Sequence, residues 1–250
     1  EPVTVIVSEK GWARSAKGHE IDASGLSYKS GDAFRFAVRG RSNQKLVILD
    51  STGKAYTVAA HQLPSARGQG EPLSGRLNMP SGATIEGVVL DDEAQRYLLS
   101  TDAGYGFVAR VGDLHTKNRS GKAVLTLPRG ATVLPPLRVQ NIEQDLVVAI
   151  SNEGRLLAFA VGELPEMSRG KGNKIIGIPG ARVAERLEFV CALTVMARQD
   201  VLIVHAGQRH LKMKLADLEH YLSERGKRGN KLPRGFQKVD RIEVQRKSTD

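Results

Sequence analysis

Five segments of the chain place lysine and arginine close to glycine. In one of them, residues 168–176, the sequence SRGKGNKII contains Arg169, Lys171 and Lys174. Guanidinium and ammonium groups neutralise phosphates, and adjacent glycines let backbone N–H groups approach an anion closely. This combination favours binding of a phosphate-rich polyanion. For any single cation, a solvated surface charge explains the residue equally well, so the argument depends on recurrence.

The same combination recurs in four other segments. We call the five "basic segments" and number them along the chain: 13–21, 65–73, 117–125, 168–176 and 224–232. The candidate phosphate-contacting residues in the other four are Arg14, Lys17, Arg67, Lys117, Arg119, Lys122, Arg225, Lys227, Arg228 and Lys231. The whole chain has 37 Lys and Arg against 27 Asp and Glu, a net charge of +10. A surface this basic suits nucleic acid or an anionic membrane.

Catalytic chemistry finds little support. The stretch RGKGNK lacks the Walker spacing and precedes an apolar run typical of a strand, not of a helix. His205 and His210 have no third metal ligand nearby in sequence. The sole cysteine, Cys191, lies in an apolar run, which predicts a buried and inert thiol. We therefore expect a binding protein that is not itself an enzyme and has no catalytic or metal-ligating residues.

A repeat positions the basic segments. Each contains a glycine followed three positions later by an apolar residue, and these glycines are Gly18, Gly70, Gly121, Gly172 and Gly229. The steps between them are 52, 51, 51 and 57 residues. Regular spacing of this length is typical of propeller-like arrays, in which one unit cannot bury its apolar face alone.

A second series of glycines lies between pairs of apolar runs, as hairpin turns require: Gly11, Gly53, Gly104, Gly154 and Gly207. The distance from turn glycine to segment glycine is 17, 17, 18 and 22 residues in the last four repeats. It is only 7 in the first repeat, which is therefore altered.

The apolar runs indicate strands. The fourth repeat holds four of them, DLVVAIS, RLLAFAV, NKIIGI and RLEFVCAL, with its basic segment between the second and third. The best helical pattern is the short stretch LADLEHYLSER. The sequence predicts an all-β, propeller-like fold of five four-stranded blades in one domain, 1–250. The approximate blades are 1–44, 45–94, 95–143, 144–197 and 198–250. Equivalent basic segments would then share one edge and form a basic track. A sandwich with chance glycine spacing is the alternative.

Several stretches resemble a known family along essentially the whole chain. They are GWARSAKGHEIDASGLSYKSGD, LPSARGQGEPLSG, TDAGYGFVARVGDL, NRSGKAVLTLP and SRGKGNKIIGIP. These are similar to the C-terminal domain of the A subunit of bacterial topoisomerase IV. The resemblance implies a β-pinwheel in which neighbouring blades exchange a strand, and it leaves open whether the ring closes. It also implies an accessory domain that binds and bends duplex DNA and helps select supercoils or catenanes.

The same resemblance implies partners and surroundings. The partners are duplex DNA, the rest of the A subunit, and through it the B subunit in an A2B2 assembly, with the isolated domain monomeric. The domain needs no cofactor of its own, because ATP and Mg²⁺ belong to other parts of the holoenzyme. The expected location is the bacterial cytoplasm, in association with the nucleoid. Since the chain begins without Met, we expect a piece of a longer protein.

Three other functions remain open: a hydrolase with its site in a central channel, a gyrase-type domain and a protein-interaction scaffold. A gyrase-type DNA-wrapping domain would carry a strict box of Gln, two Arg and several Gly, and the matching stretch RSAKGHE has no such box. A propeller-type scaffold for protein interactions would make the positive charge incidental. Binding of duplex DNA with a steep salt dependence would separate the first expectation from this last one.

Overall fold

The structure, a computed structural model, describes residues 1–247 and consists mainly of short antiparallel strands in five sheets. The described helices are short: α1 (Gly180–Ala184), α2 (Leu215–Leu218) and six 3-10 turns. The second of these falls in the predicted helical stretch, whereas α1 was not predicted. Over residues 1–247, none of the helices is both long and apolar enough to cross a membrane. The all-β prediction is confirmed.

Each sheet is built around a hairpin whose turn contains one of the second series of glycines. The first sheet has the order β3-β1-β2-β6, and the second has the order β10-β5-β4-β7. The strands of these two sheets are β1 (Pro2–Ser8), β2 (Trp12–Lys17), β3 (Phe34–Arg41), β4 (Lys45–Asp50), β5 (Lys54–Ala59), β6 (Glu71–Pro72), β7 (Ile85–Leu90) and β10 (Lys122–Ala123).

The remaining three sheets follow the same plan. Their orders are β11-β8-β9-β14, β15-β12-β13-β18 and β17-β16-β19. Their strands are β8 (Arg96–Thr101), β9 (Tyr105–Arg110), β11 (Val133–Val139), β12 (Leu146–Ser151), β13 (Arg155–Ala160), β14 (Asn173–Lys174), β15 (Val190–Met196), β16 (Val201–Ala206), β17 (Arg209–Met213), β18 (Asn230–Lys231) and β19 (Arg241–Gln245).

Successive repeats exchange a strand, as the resemblance implied. The two-residue strands β6, β10, β14 and β18 come from the second to fifth basic segments and pair with β2, β5, β9 and β13 of the preceding repeat. In each pair, the apolar residue that follows the short strand donates its backbone N–H to the carbonyl of the turn glycine in the preceding repeat. The bonds are Leu73 to Gly11 (2.9 Å), Val124 to Gly53 (3.0 Å), Ile175 to Gly104 (2.6 Å) and Leu232 to Gly154 (2.9 Å). This shared bond explains why the two glycine series recur together.

The fifth sheet departs from the prediction of five four-stranded blades. Within residues 1–247 it contains only the three strands β17, β16 and β19. In the other four sheets the fourth strand is supplied by the basic segment of the following repeat, and among residues 1–247 no segment pairs with β17 in this way. The four-strand prediction is wrong for this blade.

The first repeat also departs from the prediction. Arg14 and Lys17 lie within β2, not in a loop between the second and third strands of the repeat. Gly18 ends that strand and donates its N–H to the Pro2 carbonyl at 2.8 Å. The predicted equivalence of Gly18 with the other segment glycines is therefore wrong. The short spacing of 7 residues had marked this repeat as altered.

The described chain divides into two compact units. The first contains Glu1–Gln95 and Arg110–Leu125, and the second contains Arg96–Ala109 and the described part of Thr126–Asp250. Leu46, Ile48 and Tyr56 are fully buried in the core of the first unit. Val147 and Leu157 are fully buried in a core of the second. Alternating strand residues face these cores, so the basic segments are held by buried sheets. The predicted single domain and blade limits stay predictions.

Candidate nucleic-acid interface

The glycine of four basic segments lies directly against a strand of the preceding repeat. A Cβ on Gly70, Gly121 or Gly229 would come within 2.5, 2.8 and 2.7 Å of a backbone carbonyl oxygen, and one on Gly172 would overlap the carbonyl of Gly106. All four have φ between +72° and +92°, which side chains rarely adopt. Only glycine fits, so the chain is fixed here and the flanking cations have defined positions.

The fourth and fifth basic segments lie side by side in the second unit. Arg225 donates from its guanidinium to the carbonyl of Lys174 at 2.7 Å. The backbone N–H of Gly226 donates to Ile175 at 3.0 Å, and that of Gly177 donates to Lys227 at 2.7 Å. Two neighbouring segments are therefore hydrogen-bonded to each other, and their cations form one surface.

A groove of about 730 Å³ runs along this surface. Its cationic lining residues are Arg129, Lys171, Lys174, Lys227 and Arg228. Positive groups that line a groove strengthen one another's attraction for an anion, because low-dielectric walls focus the field. Four of the predicted cations, Lys171, Lys174, Lys227 and Arg228, therefore line one groove.

The fourth segment presents its three cations to solvent. Arg169, Lys171 and Lys174 are all exposed, and none forms an ion pair within residues 1–247. The Lys171 ammonium lies 4.6 Å from the centre of the Tyr105 ring, which holds it by a cation–π contact while leaving it charged. These side chains are available to a phosphate backbone.

The fifth segment uses most of its cations for internal contacts. Arg228 binds both oxygens of the buried Glu188 carboxylate at 2.7 and 3.0 Å and also donates to Gly177 at 2.8 Å. The Lys231 ammonium donates to the Glu153 carbonyl at 2.7 Å. Lys227 is exposed and lies 3.8 Å from the equally exposed Glu224, a weak pairing. Arg228 is thus chiefly structural, whereas Lys227 remains accessible.

The segments of the first unit are packed in a similar way. Arg119 donates to the Gly75 carbonyl at 3.1 Å, and its own carbonyl accepts from the Asn78 N–H at 2.8 Å. The ammonium of Lys122 donates to the carbonyl of Asp113. Arg67 and Lys117 are exposed. The second and third segments therefore each keep at least one accessible cation.

Arg14 has a different environment from the one predicted. It is 2% exposed, and its guanidinium donates to the carbonyls of Gly68 and Ser27 at 2.7 and 2.8 Å. It also stacks on Tyr28 at 4.7 Å. Arg14 therefore fastens the second basic segment onto β2 and offers no charge to solvent. Lys17 is exposed at the end of β2.

Two exposed arginines that follow basic segments were not among the predicted residues. Arg129 lines the groove, and Arg234 lies in a turn of the fifth repeat. Both are exposed. The signal was present in the sequence, since the tetrapeptide Leu-Pro-Arg-Gly occurs at 127–130 and again at 232–235.

The structure also gives the surroundings of the side chains that were considered for catalysis or metal binding. Burial raises the pKa of the Cys191 thiol to about 11, which keeps it protonated at neutral pH. His205 contacts the Glu243 carboxylate at 2.5 Å, and this hydrogen bond lowers the pKa of Glu243. Within residues 1–247 no group of three or more His, Cys, Asp or Glu side chains is arranged to hold a metal.

Comparison with known proteins places the chain in a family. The family of the DNA gyrase C-terminal domain, beta-propeller, matches residues 95–140 and 145–190. The A subunit of DNA topoisomerase 4 from Pseudomonas aeruginosa is 58% identical over 244 residues, which cover 98% of this chain and 32% of that protein. Its counterpart from Escherichia coli K12 is 48% identical with the same coverages. The chain thus spans about a third of the length of the curated relatives it matches.

A solved structure matches over its whole length. The E. coli ParC C-terminal domain superposes with a TM-score of 0.91 at 48% identity, covering 98% of this chain and 99% of that one. The structure of a DNA gyrase A C-terminal domain, with a TM-score of 0.66 and 16% identity, shares the fold alone. Strand exchange, repeat spacing and this full-length similarity agree, and the chain belongs to the family of C-terminal domains of the DNA topoisomerase IV A subunit.

Proposed function

We propose that this chain binds duplex DNA through the exposed cations of its second to fifth basic segments. The observation that carries the proposal is the pair of adjacent segments in the second unit, which are fixed by glycines and hydrogen-bonded to each other. They present Lys171, Lys174 and Lys227 along one groove, and Arg169 is exposed in the same segment as the first two. Cations held at defined positions on a firm backbone suit a regular array of phosphates.

The proposed contacts are with the DNA backbone and not with base edges. The sequence has no zinc-finger or helix-turn-helix pattern, and the two described α-helices have five and four residues. Binding would therefore be largely independent of sequence. Neutralising phosphates on one side of a duplex favours bending toward the protein, at a cost that depends on the DNA. We therefore include bending in the proposal.

The wider role follows from the family. The chain would act as a non-enzymatic accessory domain of topoisomerase IV that helps select supercoiled or catenated DNA for relaxation and decatenation. Its partners would be the rest of the A subunit, and through it the B subunit in an A2B2 assembly, and alone it would be monomeric. It would need no cofactor of its own and would work in the bacterial cytoplasm with the nucleoid.

The proposal is tested by removing the three cations of the fourth segment together. The variant carries Arg169→Ala, Lys171→Ala and Lys174→Ala, and the matched control carries Arg39→Ala, Lys212→Ala and Lys238→Ala, which are exposed and lie outside the basic segments. Fluorescence anisotropy would measure affinity for duplexes of roughly 40 base pairs at several salt concentrations. Each lost phosphate contact should reduce the slope of log K against log salt by about 0.9, so three contacts give about 2.7.

The control should keep the slope of the unmodified chain. Both variants should unfold at nearly the same urea concentration as that chain, because exposed charges contribute little stability. Two unrelated DNA sequences should lose affinity equally in the test variant. A test variant with unchanged affinity and slope would show that the DNA does not contact the fourth segment.

A further inference from the structure

The fifth sheet differs from the other four at one edge. Strands β2, β5, β9 and β13 each pair along this edge with a strand from the next repeat. Their counterpart β17 pairs only with β16 among the described residues. An unpaired strand edge exposes backbone N–H and C=O groups, which can bind another extended chain.

The solvent exposure of the acceptor strands differs in the same way. In the fourth repeat the turn glycine Gly154 and the strand residues Leu156 and Leu157 are buried. The corresponding residues of the fifth repeat, from Gly207 through Gln208 and Arg209 to His210, are all exposed. A Cβ built on Gly207 would meet no atom within 4 Å, whereas one on Gly154 would meet Gln237 at 2.6 Å. The space beside Gly154 is filled by residue 237 of the following repeat, whereas the space beside Gly207 is open, and the Gly207 N–H donates to the Asp240 carboxylate at 2.6 Å.

The four donated strands share a simple chemistry. Their sequences are Gly-Glu-Pro-Leu (70–73), Gly-Lys-Ala-Val (121–124), Gly-Asn-Lys-Ile (172–175) and Gly-Asn-Lys-Leu (229–232). The last residue of each, Leu73, Val124, Ile175 or Leu232, is 1% exposed. The same residue donates its N–H to the turn glycine of the acceptor hairpin. A glycine, a two-residue extended stretch and a buried aliphatic side chain are thus common to all four docked strands.

The fifth hairpin offers the corresponding acceptor groups. The carbonyl of Gly207 occupies the position of the turn carbonyls that accept in the other four repeats, and no bond to it occurs in residues 1–247. Leu211 and Leu215 are half-buried and extend the apolar core of this repeat toward solvent. Residues 207–214 include Arg209, Lys212 and a further lysine but no acidic residue. Charged edge strands discourage indiscriminate pairing, so a carboxylate on the incoming segment would be favoured.

We propose that the outer edge of β17 accepts an extended segment of a second polypeptide by strand addition. The segment has the pattern Gly-x-x-(Leu, Ile or Val) and carries a carboxylate beside the glycine. Its aliphatic residue donates a backbone N–H to Gly207 and packs toward Leu211. This peptide site is separate from the DNA contacts proposed above and does not depend on them.

The test uses the second repeat's own donated strand as a free peptide. The probe is residues 68–75, GQGEPLSG, with blocked ends, added to the full 250-residue chain labelled with ¹⁵N in the absence of DNA. The amide signals of residues 207–211 should shift on binding, and hydrogen exchange in β17 should slow. Four copies of this contact already exist within the chain, so the comparison signals come from the same sample.

Matched peptides identify the contact. A peptide N-methylated at the Leu73 amide cannot donate to Gly207, and a Leu73→Asp peptide cannot fill the apolar position. Each should bind at least about tenfold more weakly, which corresponds to about 1.4 kcal/mol. A Glu71→Lys peptide should also bind more weakly, and most clearly at low salt. The protein itself is unchanged in all these experiments, so loss of binding cannot arise from misfolding.

Three results would overturn the proposal. These are the absence of any shift at millimolar peptide, shifts confined to the basic segments around Arg169 and Lys174, and equal binding of the N-methylated peptide. The second result would assign the peptide's carboxylate to the cationic groove. DNA binding by the same chain, measured separately, would stand or fall independently of these outcomes.

Discussion

The first and fourth repeats contain similar basic segments but use them in different ways. In the fourth, Gly172 is pressed against Gly106 of the preceding repeat, and the nearby Arg169 is exposed. In the first, Gly18 has no atom within 4 Å of a built Cβ, and Arg14 is buried inside β2. The type of residue therefore does not decide whether an arginine reaches solvent. What differs is the position of the arginine, because Arg14 lies within β2, whereas Arg169 lies outside the strands and precedes β14.

The physical reason lies in strand exchange. The second to fifth basic segments are donated to strands of the preceding repeat, but within residues 1–247 the first basic segment is not donated in this way. Its arginine instead lies on an acceptor strand, where it donates to Gly68 of the incoming second segment. In the fourth repeat the arginine lies on the donated side. Arg14 and Arg169 are thus on opposite sides of the same kind of contact.

The largest expected effect comes from changing the two glycines. Gly172→Ala places a Cβ onto the Gly106 carbonyl at φ +79°, whereas Gly18→Ala meets open space at φ +81°. Backbone strain alone costs about 1–3 kcal/mol, and both variants incur it. The overlap should bring Gly172→Ala to roughly 3 kcal/mol or more in total, by the mechanisms that produce large mutational effects. Urea unfolding of the two variants measures the difference.

The comparison has an internal control, since backbone strain is common to both variants and only the close approach differs. Equal destabilisation by Gly18→Ala and Gly172→Ala would mean that the contact between Gly172 and β9 contributes nothing. The structural distinction between the first and fourth repeats would then be wrong.

The second-largest effect is expected on the free energy of unfolding when Arg14 and Arg169 are replaced in turn. Arg14→Ala removes a guanidinium that donates to two carbonyls, and these carbonyls then lose their hydrogen bonds to it. Hydrogen bonds from charged groups contribute about 1.5–3 kcal/mol, so the loss of unfolding free energy should be about 2–3 kcal/mol. Arg169→Ala, on an exposed side chain, should change it by less than about 0.5 kcal/mol.

Arg14→Lys sharpens this test, because a lysine keeps the charge but cannot span both carbonyls as the planar guanidinium does. It should retain only part of the stability. Full stability in Arg14→Lys would mean that charge matters at this position and the two directed bonds do not.

A smaller effect is expected on DNA affinity when single lysines are replaced. Lys171 belongs to the groove of the fourth segment, and Lys17 lies at the end of β2. Under the proposed function, Lys171→Ala should lower the salt slope by about 0.9 on any duplex, while Lys17→Ala should leave it unchanged. Anisotropy titrations at several salt concentrations compare the two. If Lys17→Ala has the larger effect, the first repeat contacts the DNA directly and the fourth does not.

Much of this organisation could be predicted from the sequence. Recurring glycines and alternating apolar residues indicate hairpins and a repeat, because turns with positive φ and half-buried strands impose those patterns. The sequence did not show that each basic segment completes the sheet of its predecessor, since β14 and β18 are two residues long. Pairing of such short strands depends on long-range contacts that local patterns do not contain.

The residue types of the candidate site could be predicted from the sequence better than the contacts that those residues make. Arg169 and Lys174 are exposed and form no ion pair within residues 1–247, whereas Arg228, although also exposed, is bound to Glu188, a residue 40 positions away. An arginine that pairs with a distant buried acid looks in sequence like one that faces solvent. Arg129 was overlooked because it lies in a turn outside the glycine series, although its Leu-Pro-Arg-Gly context is repeated.

The smallest expected effect is a pH dependence that belongs to the first repeat. Burial tends to raise the pKa of Asp32, but bonds from the Ser8 hydroxyl and from the N–H groups of Ala33 and Lys10 outweigh it and lower that pKa. Because the pKa of Asp32 is lower in the folded state, its ionised carboxylate stabilises the fold. This stability is present above the pKa of the unfolded state, near 4, and is lost as pH falls through the pKa of the folded state. Asp32→Asn should therefore reduce the fall in urea midpoint between about pH 5 and pH 2. Arg169→Ala in the fourth repeat should leave that fall unaltered, since the exposed guanidinium makes no ion pair within residues 1–247. If the Asp32→Asn variant loses stability with acid as steeply as the unmodified chain, the hydrogen bonds of the Asp32 carboxylate are not the acid-sensitive contact.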